Sequence, residues 1–194
     1  MKGRLILASF RGGLFLSGKF DIIYHMSENV TQTKLKVYVE SSVFSYLTGH
    51  QVKDKLVMFR KMLTHVWWND EKPKCSLFVS QHVVDEAGNG DPNEAAKRLE
   101  LIKGIPLVDG LNPVVLDLAQ KLIDDFAVPA KEGTDALHIA TAAYHGMDVL
   151  LTWNCKHMAN PYTLPKTRQI IEEAGFNCPN VTTPERFMED QEDE

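Results

Sequence analysis

Short apolar runs separated by longer amphipathic stretches make up most of the chain after residue 34. The runs Leu35–Val39, Ser76–Val79 and Val149–Trp153 are rich in β-branched and aromatic residues, which is typical of buried strands. Ile105–Val108 has a similar character, but its proline predicts an edge strand, because proline cannot donate a ladder hydrogen bond. A further short strand is predicted around Asn180–Val181.

Helical signals fill the intervals between these strands. The predicted helices cover residues 42–48, 52–69, 81–87, 92–104, 113–126, 134–146 and 166–174, and a short last helix begins at 184. Asp91 is a predicted N-cap, with Pro92 at the first helical position and Glu94 reaching back, and Thr134 is the predicted cap of the helix before the fourth strand. This alternation predicts an α/β fold, a three-layer α/β/α sandwich around a central, mainly parallel sheet.

Composition and charge indicate a globular protein with a neutral body. The chain has 194 residues, of which 44% are hydrophobic and 24% charged. We predict an N-terminal extension over residues 1–33, one domain over 34–187 and an acidic tail over 188–194. The tail holds five of the 26 acidic residues, and the remaining 21 balance the 21 lysines and arginines. Without an overall positive field, any contact with nucleic-acid phosphates must be local.

The N-terminal extension is basic and contains two apolar runs. Leu5–Phe10 and Leu14–Phe20 flank Arg11–Gly13, which favours either a hairpin or a loosely ordered segment, with Met26 as an alternative start. Arg11–Gly13 interrupts the first run before a signal-peptide core of about 7–15 residues can form. Because the chain has three cysteines, no C-x-x-C and no apolar run near the ~18 residues of a membrane span, we predict a cytoplasmic protein.

Four oxygen-bearing side chains occupy positions where a parallel sheet builds its sites. Glu40 and Asn154 come directly after the first and fourth predicted strands, Glu86 lies in the helix after the second, and Asp135 lies in the first turn of the helix that feeds the fourth. Ligands of such sheets bind at the carboxyl ends of the strands. Clustered carboxylates repel one another unless a cation lies between them, and Mg²⁺ or Mn²⁺ prefers oxygen ligands.

Each of these residues also has an ordinary structural explanation. The helix dipole favours Asp135 by about 0.3–1 kcal/mol, Glu86 suits a solvated helix face, and Asn154 is a common turn residue. Glu40 is harder to explain in this way, because a carboxylate beside a buried strand is costly unless it is paired or binds a metal. The ordered set of four therefore favours a common site.

Four sequence motifs resemble those of the PIN-domain family. Val39–Val43 (V-E-S-S-V) resembles the opening V-D-T/S-S motif, and Val83–Glu86 resembles the second motif with its acid after strand two. Thr134–Ala142 resembles the third, a D-A-x-I/H-A-A-type helix, and Leu150–Asn160 resembles the fourth, T-x-D-x-x-F. The resemblance covers roughly Leu35 to Phe187, and the T-W-N-C-x-H-x-A-N string is similar to VapC-like toxins of bacterial type II toxin–antitoxin systems.

The resemblance implies a Mg²⁺- or Mn²⁺-dependent endoribonuclease that cleaves RNA phosphodiester bonds. Carried over by position, Glu40, Glu86 and Asp135 are the metal-binding acids, and Asn154 takes the fourth catalytic place through the metal or its water. Ser42 supports the site by a hydrogen bond to Glu40. The metal activates a water for in-line attack and stabilises the departing 3′ oxygen. The resemblance also implies a homodimer and an antitoxin protein that blocks the site.

The chain departs from the family pattern at two positions. Glu40 stands where the family usually has Asp, so its carboxylate reaches one methylene further. Asn154 replaces an acid, which removes a charge and weakens any second metal site. We therefore expect at least one metal and leave the second open.

Further residues near these motifs have candidate roles. His138, three residues after Asp135 on the same helix face, either touches the site or supports it. Cys155 and His157 lack a second Cys/His pair at ligand spacing, which disfavours zinc. A local basic cluster on the second predicted helix either contacts RNA phosphates or forms a solvated face: Lys53, Lys55, Arg60 and Lys61.

Two other functions compete with the nuclease. A binding or regulatory module that keeps the fold but has lost efficient catalysis is favoured by the departures at Glu40 and Asn154. A haloacid-dehalogenase-like phosphohydrolase needs an Asp nucleophile after the first strand, and Glu40-Ser41-Ser42 offers none.

Overall fold

Five parallel strands form the central sheet in the computed structural model, which describes residues 33–50 and 53–192. In chain order they are β1 (Lys36–Val39), β2 (Ser76–Ser80), β3 (Leu107–Val108), β4 (Val149–Leu151) and β5 (Asn180–Thr182). Their order in space is β3-β2-β1-β4-β5, and the four pairings between neighbours are parallel. The α/β prediction is thus confirmed, and the third strand lies at an edge as predicted, with Pro106 directly before it.

Helices cover the sheet on both faces and complete the three-layer sandwich. Within the described residues they are α1 (Ser41–Thr48), α2 (Lys55–Asp70), α3 (Gln81–Ala87), α4 (Pro92–Ile102), α5 (Pro113–Asp124), α6 (Gly133–Tyr144), α7 (Leu164–Glu173) and α8 (Pro184–Glu192). Helix α1 packs against α2, α3 and α4, and α2 packs against α8, whereas α5 packs against α6 and α7. None of the helices described is long and apolar enough to cross a bilayer.

The two central strands are buried on both faces, as their apolar sequences predict. In β1, Val37, Tyr38 and Val39 have no exposed surface, and β4 is buried throughout. The largest side chains of the core come from both layers of helices as well as from the sheet: Trp67, Tyr38, Phe44, Leu122, Ile139, Leu150 and Leu151. This packing holds the carboxyl ends of β1 and β4 side by side, and Glu40 N donates to Leu151 O at 3.0 Å.

The N-termini of α4 and α6 differ in detail from the predicted ones. Asp91 caps α4 as expected, accepting from the backbone N–H groups of Asn93 and Glu94. The Glu94 side chain does not reach back; it pairs with the Lys97 ammonium and contacts His50 Nε2, and the lysine attracts it more strongly than a backbone N–H does. The prediction that Thr134 caps α6 is wrong.

Helix α6 begins one residue before Thr134, at Gly133, and a 3₁₀ turn over Ala130–Glu132 leads directly into it. The turn supplies the preceding helical geometry, so no extended capping residue is needed. Asp135 remains in the first turn of the helix.

The predictions for the two ends of the chain have different outcomes. The predicted hairpin over Leu5–Phe10 and Leu14–Phe20 lies outside the described residues. At the other end, α8 continues through residue 188 to Glu192, so much of the predicted acidic tail is helical. The fourth strand ends at Leu151, two residues earlier than predicted, which places Thr152 and Trp153 in the segment just beyond the sheet.

Candidate metal centre

Glu40 lies at the junction of β1 and α1, where four donors fix its carboxylate. Oε1 accepts from Ser42 N at 3.0 Å and from Ser41 Oγ at 2.7 Å. Oε2 accepts from Thr152 Oγ1 at 2.7 Å and from Ser42 Oγ. Glu40 is the N-cap of α1 and is only 5% exposed. The donors hold this buried carboxylate in one orientation, but none of them is a cation.

Glu86 approaches Glu40 from α3 and shares a hydroxyl with it. Glu86 Oε2 lies 2.6 Å from Ser41 Oγ, which also lies 2.7 Å from Glu40 Oε1. A serine hydroxyl has one hydrogen, so it cannot donate to both carboxylates at once. One of the two short contacts therefore lacks a hydrogen whenever both acids are ionised. The neighbouring Asp85 is exposed and accepts from Gln81, so Glu86 is the acid that faces the site.

His138 connects Glu86 to the interior of the sheet through a row of hydrogen bonds. His138 Nε2 lies 3.0 Å from Glu86 Oε2, and Nδ1 lies 2.8 Å from Tyr38 Oη. Tyr38 Oη in turn lies 2.6 Å from Ser80 Oγ. An ionised carboxylate only accepts, so Nε2 carries a hydrogen. At Nδ1 a neutral imidazole accepts from Tyr38 Oη, whereas an imidazolium donates to it, and in either form the row joins Ser80, Tyr38, His138 and Glu86.

The pKa values of this pair follow from burial and mutual attraction. Burial alone lowers the pKa of His138, but the hydrogen bond to Glu86 and the charges of Glu40 and Glu86 outweigh burial and raise it. Burial alone raises the pKa of Glu86, but the hydrogen bond and charge of His138 and the bond from Ser41 lower it. Burial raises the pKa of the Tyr38 phenol, which keeps that group neutral. Each partner thus favours the charged form of the other.

Asp135 lies beside these groups and is oriented by Asn154. Asn154 Nδ2 donates to Asp135 Oδ2 at 2.9 Å, and Asn154 Oδ1 accepts from the backbone N–H of His157 at 3.1 Å. The backbone donor fixes which end of the amide faces Asp135. Burial, followed by the charges of Glu40 and Glu132, raises the pKa of Asp135 to about 6 against the opposing bond from Asn154.

The structure brings the four predicted residues to one edge of the sheet, but the three residues whose ligand atoms lie closest together are not the three predicted metal ligands. Ligand atoms of Glu40, Glu86 and His138 lie within 4.8 Å of one another. Asp135 is outside that trio, although its carboxylate is close enough to sense the charges of Glu40 and His138. Asn154 uses both ends of its amide locally and positions Asp135.

The donor set fits a divalent cation. In the described ranges no lysine or arginine lies within 4.0 Å of Glu40, Glu86 or Asp135, and their hydrogen-bond partners are hydroxyls, amides and one imidazole. Three carboxylates at a poorly solvated edge, with no lysine or arginine and with His138 paired to only one of them, are costly unless a further proton or an ion compensates them. Carboxylate oxygens suit Mg²⁺ and Mn²⁺.

The raised pKa of Asp135 predicts how the metal-free protein responds to pH. Its folded-state pKa of about 6 exceeds the unfolded value of about 3.9, so its contribution to stability is present below pH 4 and is lost as pH rises through 6. In chelator, Asp135→Asn should therefore be more stable than wild type above pH 6, by on the order of 1–3 kcal/mol, and similar to it at pH 4.

Urea unfolding between pH 4 and 8 measures this difference. The exposed Asp85→Asn is the control, and it should follow the wild-type profile. If wild type and Asp135→Asn had the same dependence of unfolding free energy on pH, the raised pKa of Asp135 would be contradicted. Mn²⁺ should restore wild-type stability above pH 6, because the ion compensates the ionised carboxylate.

The chain is similar in structure to a chain of the crystal structure of VapBC2 from Rickettsia felis bound to a DNA fragment from their promoter. The two chains share 11% identity with a TM-score of 0.44, and the alignment covers 77% of this chain and 98% of that one. No protein-family model and no curated protein matches the chain.

Several residues of the site were not identified as such from the sequence. Ser41 bridges Glu40 and Glu86, Thr152 donates to Glu40, and Tyr38 orients His138. A partial signal was available for Thr152, since it follows β4 at the register of Glu40. The bond between Tyr38 and His138, which are 100 residues apart, had no signal in the sequence.

The predicted basic cluster on α2 divides into residues with different partners. Lys53 and Lys55 are exposed, whereas Lys61 Nζ donates to the backbone carbonyls of Gly49 and His50 and thus ties α2 to the end of α1. Arg60 lies over the Trp153 ring, 5.3 Å from its centroid.

Proposed function

We propose that the protein is a metal-dependent endoribonuclease that hydrolyses RNA phosphodiester bonds. One observation carries this proposal: Glu40, Glu86 and Asp135 gather at the carboxyl edge of a parallel sheet without a lysine or arginine partner in the described ranges. A divalent cation satisfies that arrangement, and such an ion can activate a water and stabilise the charge that develops on a phosphodiester. Glu40, Glu86 and Asp135 would hold Mg²⁺ or Mn²⁺, with His138 beside them.

Some residues of the site would bind the ion, and others hold the binding carboxylates in position. When bound, the ion supplies charge stabilisation at phosphoryl oxygens and lowers the pKa of water. Ser42, through N–H and hydroxyl, and Thr152 keep Glu40 in one orientation, and His138 fixes the direction of Glu86. Asn154 binds only Oδ2 of Asp135, so Oδ1 has no hydrogen-bond partner in the described residues and can accept a proton or contact an ion.

The biological setting is a second part of the proposal. The T-W-N-C-x-H-x-A-N string from Thr152 to Asn160 supports a VapC-like toxin of a type II toxin–antitoxin pair. In that setting the protein acts in the cytoplasm as a homodimer, and an antitoxin protein blocks the acid cluster.

A catalytically weakened nucleic-acid-binding or regulatory module is the second candidate. It is favoured by Asn154, which contributes no charge to the site and orients Asp135 instead. Calorimetric titration with Mn²⁺ distinguishes the two functions. Uptake of the ion supports the nuclease, whereas no uptake at pH 7.5 favours the module.

RNA cleavage by wild type and Asp135→Asn is the decisive test. With Mg²⁺ or Mn²⁺, we expect wild type to cleave single-stranded RNA, chelator to stop the reaction, and Asp135→Asn to lose at least about 100-fold in rate. The control is Asp85→Asn, which removes an exposed carboxylate one residue from Glu86. Equal rates for Asp135→Asn and wild type would refute the proposed role of Asp135.

A further inference from the structure

A cavity of about 300 Å³ opens beside the acid cluster, between α2, the end of β4 and the start of α8. We propose that this cavity is a subsite for the RNA nucleotide that flanks the scissile phosphate. In it, Arg60 and Arg186 bind the flanking phosphate, and the base lies against Phe59. The inference rests on the proposed nuclease function and adds a specific substrate contact to it.

The segment after β4 joins the cavity to the acid cluster. Thr152 and Asn154 turn their side chains to Glu40 and Asp135, whereas Trp153 and Cys155 line the cavity. The backbone N–H of Trp153 donates to Ser42 Oγ at 2.9 Å, and that hydroxyl donates to Glu40. Alternate residues of this one segment thus face the acids and the cavity, which makes the two sites neighbours.

The charge of the cavity complements that of the acid cluster. Two guanidinium groups, those of Arg60 and Arg186, line it together with one carboxylate, that of Glu185. Arg60 makes a single side-chain hydrogen bond in the described residues, to Tyr46 Oη at 3.3 Å, so most of its five N–H donors are available. A fork of N–H donors matches the oxygens of a phosphate.

The walls of the cavity are arranged to hold a base. Trp153 is fixed by a bond from Nε1 to Thr64 Oγ1 at 2.8 Å, and Arg60 lies over its ring, which holds the guanidinium in place. Phe59 also lines the cavity and is 46% exposed, which leaves a ring face for stacking. Bases stack on aromatic rings and on arginine planes without regard to sequence. The volume is at the lower end of the range of about 300–1,000 Å³ for small-ligand sites, which suits one nucleotide.

Steady-state cleavage of a single-stranded RNA oligonucleotide tests the phosphate contacts. Arg60→Gln and Arg186→Gln should each raise KM by at least about fivefold with little change in kcat, and lower the slope of log KM against log[KCl] by about 0.7. Lys103→Gln removes an exposed charge at the end of α4 and should leave both quantities unchanged. Arg186 is exposed, so its variant reports on the contact even if Arg60→Gln perturbs packing on Trp153.

Alkylation of Cys155 gives a readout that needs no catalysis. With Ca²⁺ in place of Mg²⁺, the oligonucleotide should slow modification of Cys155 in wild type, and this protection should be lost in Arg60→Gln and Arg186→Gln. Cys75 and Cys178, which are also free thiols, serve as internal controls. A hexaglutamate peptide tests the alternative occupant, a carboxylate-bearing partner protein.

The outcomes separate this inference from the proposed nuclease. If both arginine variants keep the wild-type KM and salt slope while Asp135→Asn is inactive, the subsite is wrong and the nuclease stands. If wild type cleaves no RNA but the oligonucleotide protects Cys155 in an arginine-dependent manner, the nuclease fails, and only the contact between RNA and the two arginines of the cavity stands. Protection by hexaglutamate and not by RNA would overturn the subsite and assign the cavity to a protein partner.

Discussion

Glu40→Gln is expected to abolish Mn²⁺ binding and to reduce RNA cleavage by at least about 100-fold, with the fold retained. The substitution removes a charge while keeping the size of the side chain. Its amide oxygen is expected at the position of Oε1, because the backbone N–H of Ser42 cannot change from donor to acceptor. The amide nitrogen then faces the hydroxyls of Ser42 and Thr152, where the carboxylate had an anionic oxygen.

Glu40→Asp is the matched control, because it keeps the charge and shortens the reach by one methylene. The shorter carboxylate cannot meet Ser42 N and Thr152 Oγ1 together, so we expect weaker Mn²⁺ binding but measurable cleavage. Calorimetry with Mn²⁺ and single-turnover cleavage measure both effects. Wild-type Mn²⁺ affinity in Glu40→Gln would show that the ion binds elsewhere.

Trp67→Ala should have the largest effect on stability, lowering the free energy of unfolding by about 3–5 kcal/mol. Trp67 has no exposed surface and is the largest of the fully buried side chains described. Its ring packs edge-on against Phe187 of α8, with centroids 5.8 Å apart, and so fastens the last helix to α2. Alanine would leave a cavity at that junction, and α8 would lose its main contact.

Trp67→Phe separates ring packing from the indole N–H. The Nε1 atom of Trp67 is buried without a hydrogen-bond partner in the described residues. Phenylalanine removes that unsatisfied donor and keeps an aromatic face toward Phe187, so the loss should stay below about 2 kcal/mol. Urea unfolding in chelator measures both variants. If Trp67→Ala and Trp67→Phe lowered the free energy of unfolding equally, ring packing would not be the main contribution of Trp67.

Much of the fold could be predicted because local pattern and tertiary burial agree. β4 is apolar throughout and β1 is apolar after Lys36, both strands lie in the interior of the sheet, and the proline before β3 marks an edge. The prediction that Thr134 caps α6 was wrong because it rested on residue type alone. The 3₁₀ turn that precedes the helix makes a capping side chain unnecessary. Such a turn depends on how the chain enters the helix, which short-range propensity does not specify.

The site was predictable in position but not in geometry. The sequence placed Glu40, Glu86, Asp135 and Asn154 near the carboxyl ends of the strands, where the structure has them. The sequence could not show which of these side chains lie closest together, because that depends on the distances between helices and strands. His138 rather than Asp135 joins the closest trio for this reason.

The row from Ser80 through Tyr38 to His138 has a consequence for mutational tolerance. Tyr38 fills space in the centre of the sheet, so phenylalanine would appear to be a harmless replacement by volume. Yet the missing hydroxyl would leave His138 Nδ1 unpaired and free Glu86 to turn. In a genetic selection for loss of the proposed nuclease activity, this buried position would therefore behave as a part of the candidate site.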